Sequence, residues 1–233
     1  MRLDQFVSQS TGMPRSEAQK LIRWGGYWWM AKALPNRRRI LAQAVVTLDG
    51  VTISLPGAIY IMLHKPAGVV SATEDPSHRT VMDLIGHPHR HTLHVVGRLD
   101  KDTTGLLLIT NDGDWSHRLM SPKHHVPKTY LATLAEPLVE SAAEQLRAGV
   151  QLHGEKALTK PAEVEILPAC QARITLHEGK YHQVKRMFAA VGNRVEALHR
   201  ESIGGLLLEA QLKPGAWRAL TDAELELVYP RNR

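Results

Sequence analysis

The residues best suited to chemistry lie in the text VGRLDKDTTG from Val96 to Gly105, a polar turn followed by the run Leu106 to Thr110. That run is short, has no polar break and stops at Asn111-Asp112-Gly113, so it predicts a buried strand. Leu93 to Val96 predicts a second strand before the turn. Gly97 and Gly105 bracket it, as expected where backbone bends sharply or approaches another group closely. Asp100 is then a carboxylate on a loop backed by rigid sheet, a setting in which catalytic groups often sit. Taken alone, an aspartate in such a unit is more often a turn former, and Asp102 competes with it by proximity.

Other stretches carry groups that could serve such a site. Lys128 to Leu134 alternates as a strand and presents Tyr130, an aromatic face. In HEGKYHQVKRMF, from His177 to Phe188, the residues Tyr181, Val184, Phe188 and Val191 predict one helical stripe, stopped at Gly192-Asn193. Lys185 lies off that stripe, free to point elsewhere. His87, His89, His91 and His94 crowd together, but their spacing fits no common ligand pattern and no carboxylate or cysteine is interleaved. We expect a solvated loop there and no metal. There is also no Gly-rich dinucleotide fingerprint and no P-loop.

The elements that position these groups follow from periodicity and turn residues. A helix is expected from Arg2 to Ser10, stopped at Gly12, and a second from about Pro14 to Trp24, ended by Gly25-Gly26. Arg15, Lys20 and Arg23 fall largely off the apolar face of the second, where phosphates could meet them. Ala44 to Ser54 predicts a hairpin around Asp49-Gly50. Pro56-Gly57 marks a boundary, giving domains over 1–57 and 58–233. Further on we expect strands at Ile59 to Leu63, Glu163 to Leu167, Ala172 to Leu176 and Pro214 to Leu220. Helical segments are expected at Val81 to Ile85, Asp114 to Met120 (closed by Ser121-Pro122) and Leu138 to Arg147. Strands and helices mix without βαβ regularity, which predicts an α+β fold on an antiparallel sheet.

The totals bound the partners. The 233 residues carry a net charge of +6, and residues 1–56 alone hold eight Lys or Arg against three Asp or Glu. A basic small module beside a balanced larger one suggests nucleic-acid binding. No apolar run approaches the roughly 20 residues of a membrane span, and MRLDQFV predicts no secretory signal. The single cysteine, Cys170, excludes an internal disulfide and fits a reducing cytoplasm.

GRLDKDTTGLLL is similar to the signature of the pseudouridine synthases, and the order of later motifs resembles the ribosomal small-subunit pseudouridine synthase A branch. The resemblance implies that Asp100 is the catalytic aspartate, that Tyr130 of the KTY text packs on the target base, and that Lys185 of EGKYHQVKRMF pairs with Asp100. Lys65-Pro66-Ala67-Gly68 matches a motif used structurally near the cleft, and LHRESIGGLLLE matches the closing motif. Arg98 is then placed to fill the space left by an extruded nucleotide or to hold its phosphate, and Lys128, His182 and Arg186 are expected RNA contacts. RLDQFVSQSTGMPRSEAQKLIRWG resembles the S4 RNA-binding domain, which implies RNA contacts from Arg15, Lys20 and Arg23. The chain departs from that family at Tyr27-Trp28-Trp29-Met30-Ala31, where a strand and a turn are usual, and Arg37-Arg38-Arg39 follows. The tryptophans there suit a core or a stacking surface.

The expected whole is an α+β chain: a small S4-like domain, then a larger catalytic domain with a mixed, mainly antiparallel sheet flanked by helices. The reaction implied is isomerisation of uridine to pseudouridine, with no cofactor. The expected partner is 16S rRNA or a small-subunit precursor particle, met by a cytoplasmic monomer without membrane contact. HQVKRM favours this type over a sister synthase acting on 23S rRNA. A non-catalytic ribosome-assembly protein would be marked by loss of Asp100, Tyr130 or Lys185, and all three are present.

Overall fold

The computed structural model describes residues 2–24, 46–121, 124 and 126–229. Residues 25–31, 37–39, 44, 45 and 122, where the glycine stop, the aromatic segment, the arginine run, the start of the hairpin and a helix-closing proline were expected, lie outside them. The chain forms two units, Met1–Ile59 with Gly86–Leu93, and Tyr60–Ile85 with His94–Arg233. Among the described residues no helix is long and apolar enough to cross a membrane.

In the first unit α1 (Leu3–Thr11) and α2 (Arg15–Trp24) bury Leu3, Val7 and Ala18 with Val46 of β1 (Val46–Leu48). Gly12 ends α1 in the left-handed conformation, its N–H donating to the Ser8 carbonyl. β1 pairs antiparallel with β2 (Val51–Ile53), and Asp49 and Gly50 between them both have positive φ, as a tight primed turn requires. Asp4 is buried and accepts bonds from Arg2, Arg15 and Gln19; the Arg2 bond leads in holding its carboxyl well below the usual range. His87, His89 and His91 belong to this unit, with the Nε2 of His91 2.9 Å from the Gln9 carbonyl oxygen, whereas His94 belongs to the second. Among the described residues no group of three or more His, Cys, Asp or Glu is arranged to hold a metal ion.

The second unit is a nine-stranded sheet with helices against it. In chain order it contains β3 (Tyr60–Lys65), β4 (His94–Val96), β5 (Thr104–Thr110), α3 (Gly113–Met120), β6 (Lys128–Leu134), α4 (Glu140–Ala148), β7 (Glu163–Leu167) and β8 (Gln171–Leu176). It continues with α5 (Gln183–Ala190), β9 (Val195–Ile203), β10 (Leu206–Leu207), β11 (Trp217–Ala219) and α6 (Asp222–Leu227). The strand order is β11-β3-β5-β9-β6-β8-β7, with β4 also on β5 and β10 also on β9. Every pairing is antiparallel except β5 with β9. One apolar core gathers Met62, Leu106, Leu108 and Trp115, and another gathers Ala143, Leu146, Ile174 and Phe188.

β5 is where the two halves meet. β3 covers one edge from Gly105 to Thr110. Both other partners must then share the opposite edge. β9 takes only Thr104 and Gly105, and β4 takes Leu108 to Thr110. The edge therefore forks, and the 97–103 loop joining β4 to β5 starts and ends at the fork. Gly105 makes the parallel contact possible: its φ is +109°, and a Cβ there would lie 2.3 Å from the Arg200 carbonyl oxygen.

In the second unit the long central strand β9, the two-residue β10 and the capped helix α6 have no counterpart in the expectations. In α6, Thr221 and Glu224 form a capping box. The expected stripe through Tyr181 also differs. Val184 and Phe188 are buried, but α5 begins only at Gln183 because His182 has a left-handed φ of 45°. Tyr181 therefore drops out of the helical period and is 76% exposed.

Gly105→Ala should disrupt the seam. Its methyl meets main chain rather than a movable side chain, so the cost should exceed the roughly 1–3 kcal/mol of ordinary overpacking. Gly113→Ala, where a Cβ meets nothing within 4 Å, should be near neutral. Urea unfolding of both variants checks this, and equal stability of the two would refute the role given to the seam.

Candidate active site

The 97–103 loop is held from beneath by an ammonium group. Lys65, the last residue of β3, is 0% exposed, and its Nζ donates to the carbonyls of Pro66 (3.0 Å), Lys101 (3.2 Å) and Thr103 (2.7 Å). Burial pushes its pKa down to about 8, against the pull of Asp102 and Asp100. Ser71 secures the other side of the loop, its hydroxyl donating to the Leu99 carbonyl at 2.8 Å and accepting from the Leu99 N–H at 3.1 Å. Little freedom is left for Asp100 between these anchors.

Asp100 opens into a cleft of about 660 Å³. Of the expected site residues, Arg98, Asp100, Lys128, Tyr130, His182 and Lys185 all line it. The Asp100 carboxylate is 28% exposed and has two neighbours from the start of α5: His182 Nε2 at 3.2 Å and Lys185 Nζ at 3.4 Å. Lys185 is shared between two aspartates. It donates to Asp102 at 2.6 and 2.8 Å, closer than its approach to Asp100. That bond leads in lowering the Asp102 pKa. For Lys185 itself burial opposes the charge, but the two carboxylates outweigh it and raise the pKa above 10.5. Asp102 is 73% exposed and is not part of the cleft lining.

The same cleft has a cationic lining, which includes a residue that the sequence did not single out. Arg200 of β9 is 1% exposed, and its guanidinium donates to the Leu106 carbonyl at 2.8 Å and the Gly97 carbonyl at 3.0 Å. These are the main-chain acceptors beside the fork in the β5 edge, so Arg200 supplies the bonds that the diverging strands cannot. A register shift between Thr129 and Tyr130 against β9 puts Arg200 opposite Tyr130. The guanidinium carbon sits 5.9 Å from the Tyr130 ring centroid, and Nη1 is 3.5 Å from the hydroxyl. Half-buried Lys128 donates to the Val126 carbonyl, and its pKa is pushed down to about 8 by burial and by the charge of Arg200. The lining as a whole carries six Lys or Arg against two carboxylates, which suits a polyanion.

The remaining expected contacts lie elsewhere. Arg186 donates to the carbonyls of Tyr181 and His153 and pairs with Glu155, and it does not line the cleft. Arg15, Lys20 and Arg23 are on α2 in the first unit; Arg15 holds Asp4, while Lys20 and Arg23 are exposed.

Residues 59–190, which carry most of this cleft, match the family model for RNA pseudouridylate synthase. The chain belongs to that family. It is 49% identical over 230 residues to ribosomal small subunit pseudouridine synthase A of Escherichia coli (strain K12), covering 98% of this chain and 100% of the relative. It is 45% identical over 230 residues to the protein of the same name from Vibrio cholerae serotype O1, with the same coverage. A crystal structure of pseudouridylate synthase superposes with a TM-score of 0.72 at 42% identity, over 98% of this chain and 99% of the other. This is an enzyme, a pseudouridine synthase built on a mixed sheet.

In this synthase the pH dependence of stability should report Lys65. Between about 8, its folded pKa, and its ordinary 10.5, the unfolded chain holds the proton and the folded chain does not. Raising the pH through that window therefore favours the folded state, while below it the contribution is flat. Lys65→Met should cost roughly 1–3 kcal/mol near neutrality by leaving buried carbonyls without a donor. Its deficit against wild type should widen from pH 8 to 10. A pH-independent deficit in urea unfolding would contradict the buried ammonium.

Proposed function

We propose that this synthase isomerises a specific uridine of 16S small-subunit ribosomal RNA during ribosome maturation, with Asp100 as the reacting carboxylate. What supports Asp100 over Asp102 is a single observation: only Asp100 is in the cleft lining, half-buried between His182 and Lys185. What supports the substrate is the full-length similarity to relatives named for the small ribosomal subunit.

The reaction breaks the bond from ribose C1′ to uracil N1 and forms one from C1′ to C5. N1 gains a proton and C5 loses its hydrogen, so atoms and electrons balance without a co-reactant. A uridine in folded RNA must first be extruded, at a cost of a few kcal/mol, into a pocket that can stack its base. Tyr130 offers the stacking face, made rigid by Arg200 behind it. Arg98 fills the vacated space or takes a phosphate. Lys128, with a pKa near 8, keeps its charge more firmly when a phosphate lies beside it. Lys185, 3.4 Å away, pairs with Asp100 and aims its carboxylate, which acts as nucleophile or base. In the first unit, exposed Lys20 and Arg23 hold further phosphates, with less from Arg15 because it already holds Asp4. The enzyme acts as a monomer in the cytoplasm.

Asp100→Asn should abolish pseudouridine in 16S rRNA while RNA affinity changes little. Asp102→Asn should keep most turnover, because Lys185 remains 3.4 Å from Asp100. Both are checked by mapping modified uridines after incubation with each variant. Normal turnover by Asp100→Asn together with an inactive Asp102→Asn would overturn the choice of aspartate.

A further inference from the structure

Tyr181 is a large aromatic side chain that the fold leaves outside. The residue is 76% exposed, yet it lines the same cleft as Asp100. The chain around it is fixed. Arg186 donates to its carbonyl at 3.0 Å. The neighbouring Lys180 N–H donates to the Gln183 side chain at 2.8 Å, and Gln183 is itself buried and bonded to Glu178 at 2.7 Å. One face of the ring is covered by His182, stacked with centroids 3.8 Å apart and planes 21° from parallel. The other face is open. The covering imidazole is the one whose Nε2 stands 3.2 Å from the Asp100 carboxylate.

We propose that the open face of Tyr181 is a second base platform, which stacks an unpaired nucleobase adjacent in the RNA strand to the extruded uridine. The inference rests on the RNA reading of this cleft. Aromatic faces bind single-stranded nucleic acid by stacking, with little dependence on which base is present. A ring already fixed in place loses little freedom when a base settles on it. The cationic lining supplies the complementary charge for the flanking phosphates. A base on Tyr181 is separated from the carboxylate by two stacked rings, so the next nucleotide along the strand is the one delivered to Asp100. Tyr181 thus selects substrates whose target uridine has an unpaired neighbour. His182, between platform and carboxylate, is a positioning residue.

The test is binding in the Asp100→Asn background, so that it does not depend on turnover. The probe is a short single-stranded RNA with 2-aminopurine beside a uridine. Quenched 2-aminopurine fluorescence is expected on binding. Tyr181→Ala should raise Kd on the order of tenfold and remove the quench, while Tyr181→Phe restores both. In the otherwise wild-type enzyme, Tyr181→Ala should raise KM on 16S rRNA far more than it lowers kcat. Unchanged Kd and quench in Tyr181→Ala would overturn the platform, as would a kcat loss with no change in KM. A platform lost in the binding assay alongside a wild type that modifies only 23S rRNA would keep the platform and remove the substrate assignment.

Discussion

Everything in the second unit depends on how one edge of β5 is shared between two strands. β9 can run parallel to β5 for only two residues before β4 takes the same edge. Where strands part, main-chain carbonyls lose their partners, and leaving such groups buried without bonds costs about 1–3 kcal/mol each. The chain meets this with Arg200, whose guanidinium bonds the Leu106 and Gly97 carbonyls and underlies Tyr130. Gly105 lets the backbones come close enough for that arrangement. The opening needed for a substrate and the bonds needed for a stable sheet are thus solved at one place.

The same economy governs the charges. Among the described residues two cations are buried almost completely, Lys65 at 0% and Arg200 at 1% exposure, and both donate to main-chain carbonyls. Burying a charge is costly unless it is well bonded. Here the bonds fix the two ends of the loop that presents Asp100. Two other cations of the cleft are less committed: Arg98 is exposed, and half-buried Lys128 donates to the Val126 carbonyl. The interior charges thus set the geometry of the loop.

Much of this fold is legible in the sequence because local chemistry signals it. Asp112 caps α3 by accepting from the Trp115 N–H, as the Asn111-Asp112-Gly113 turn suggests. β6 and β7 have the limits that alternation and turn residues indicate. β9 is less legible because it is central and carries Arg200, His199 and Glu201, so its pattern is not that of an apolar strand. Its bonding partners are remote in sequence. Arg200 could have been found only by asking what a basic residue does next to a predicted sheet interior. Tyr181 is misread by helical periodicity because the period starts two residues later, after the left-handed His182. The sharing of Lys185 between Asp100 and Asp102 depends on side-chain approach across 83 residues of sequence, and no local pattern carries it. The family motifs bring Asp100, Tyr130 and Lys185 to attention together, but the fork that assembles them is a property of the sheet.

The most direct measurement follows hydrogen at C5 of uracil. Joining C1′ to C5 displaces that hydrogen, so ribosomal RNA carrying tritium at uridine C5 releases it to water in step with pseudouridine formation. With the purified wild-type enzyme and no added cofactor, release from 16S rRNA is expected to reach a fixed number of equivalents per RNA molecule, with none from 23S rRNA. Release from 23S rRNA alone would contradict the small-subunit substrate, and no release from either RNA would contradict uridine isomerisation by this cleft.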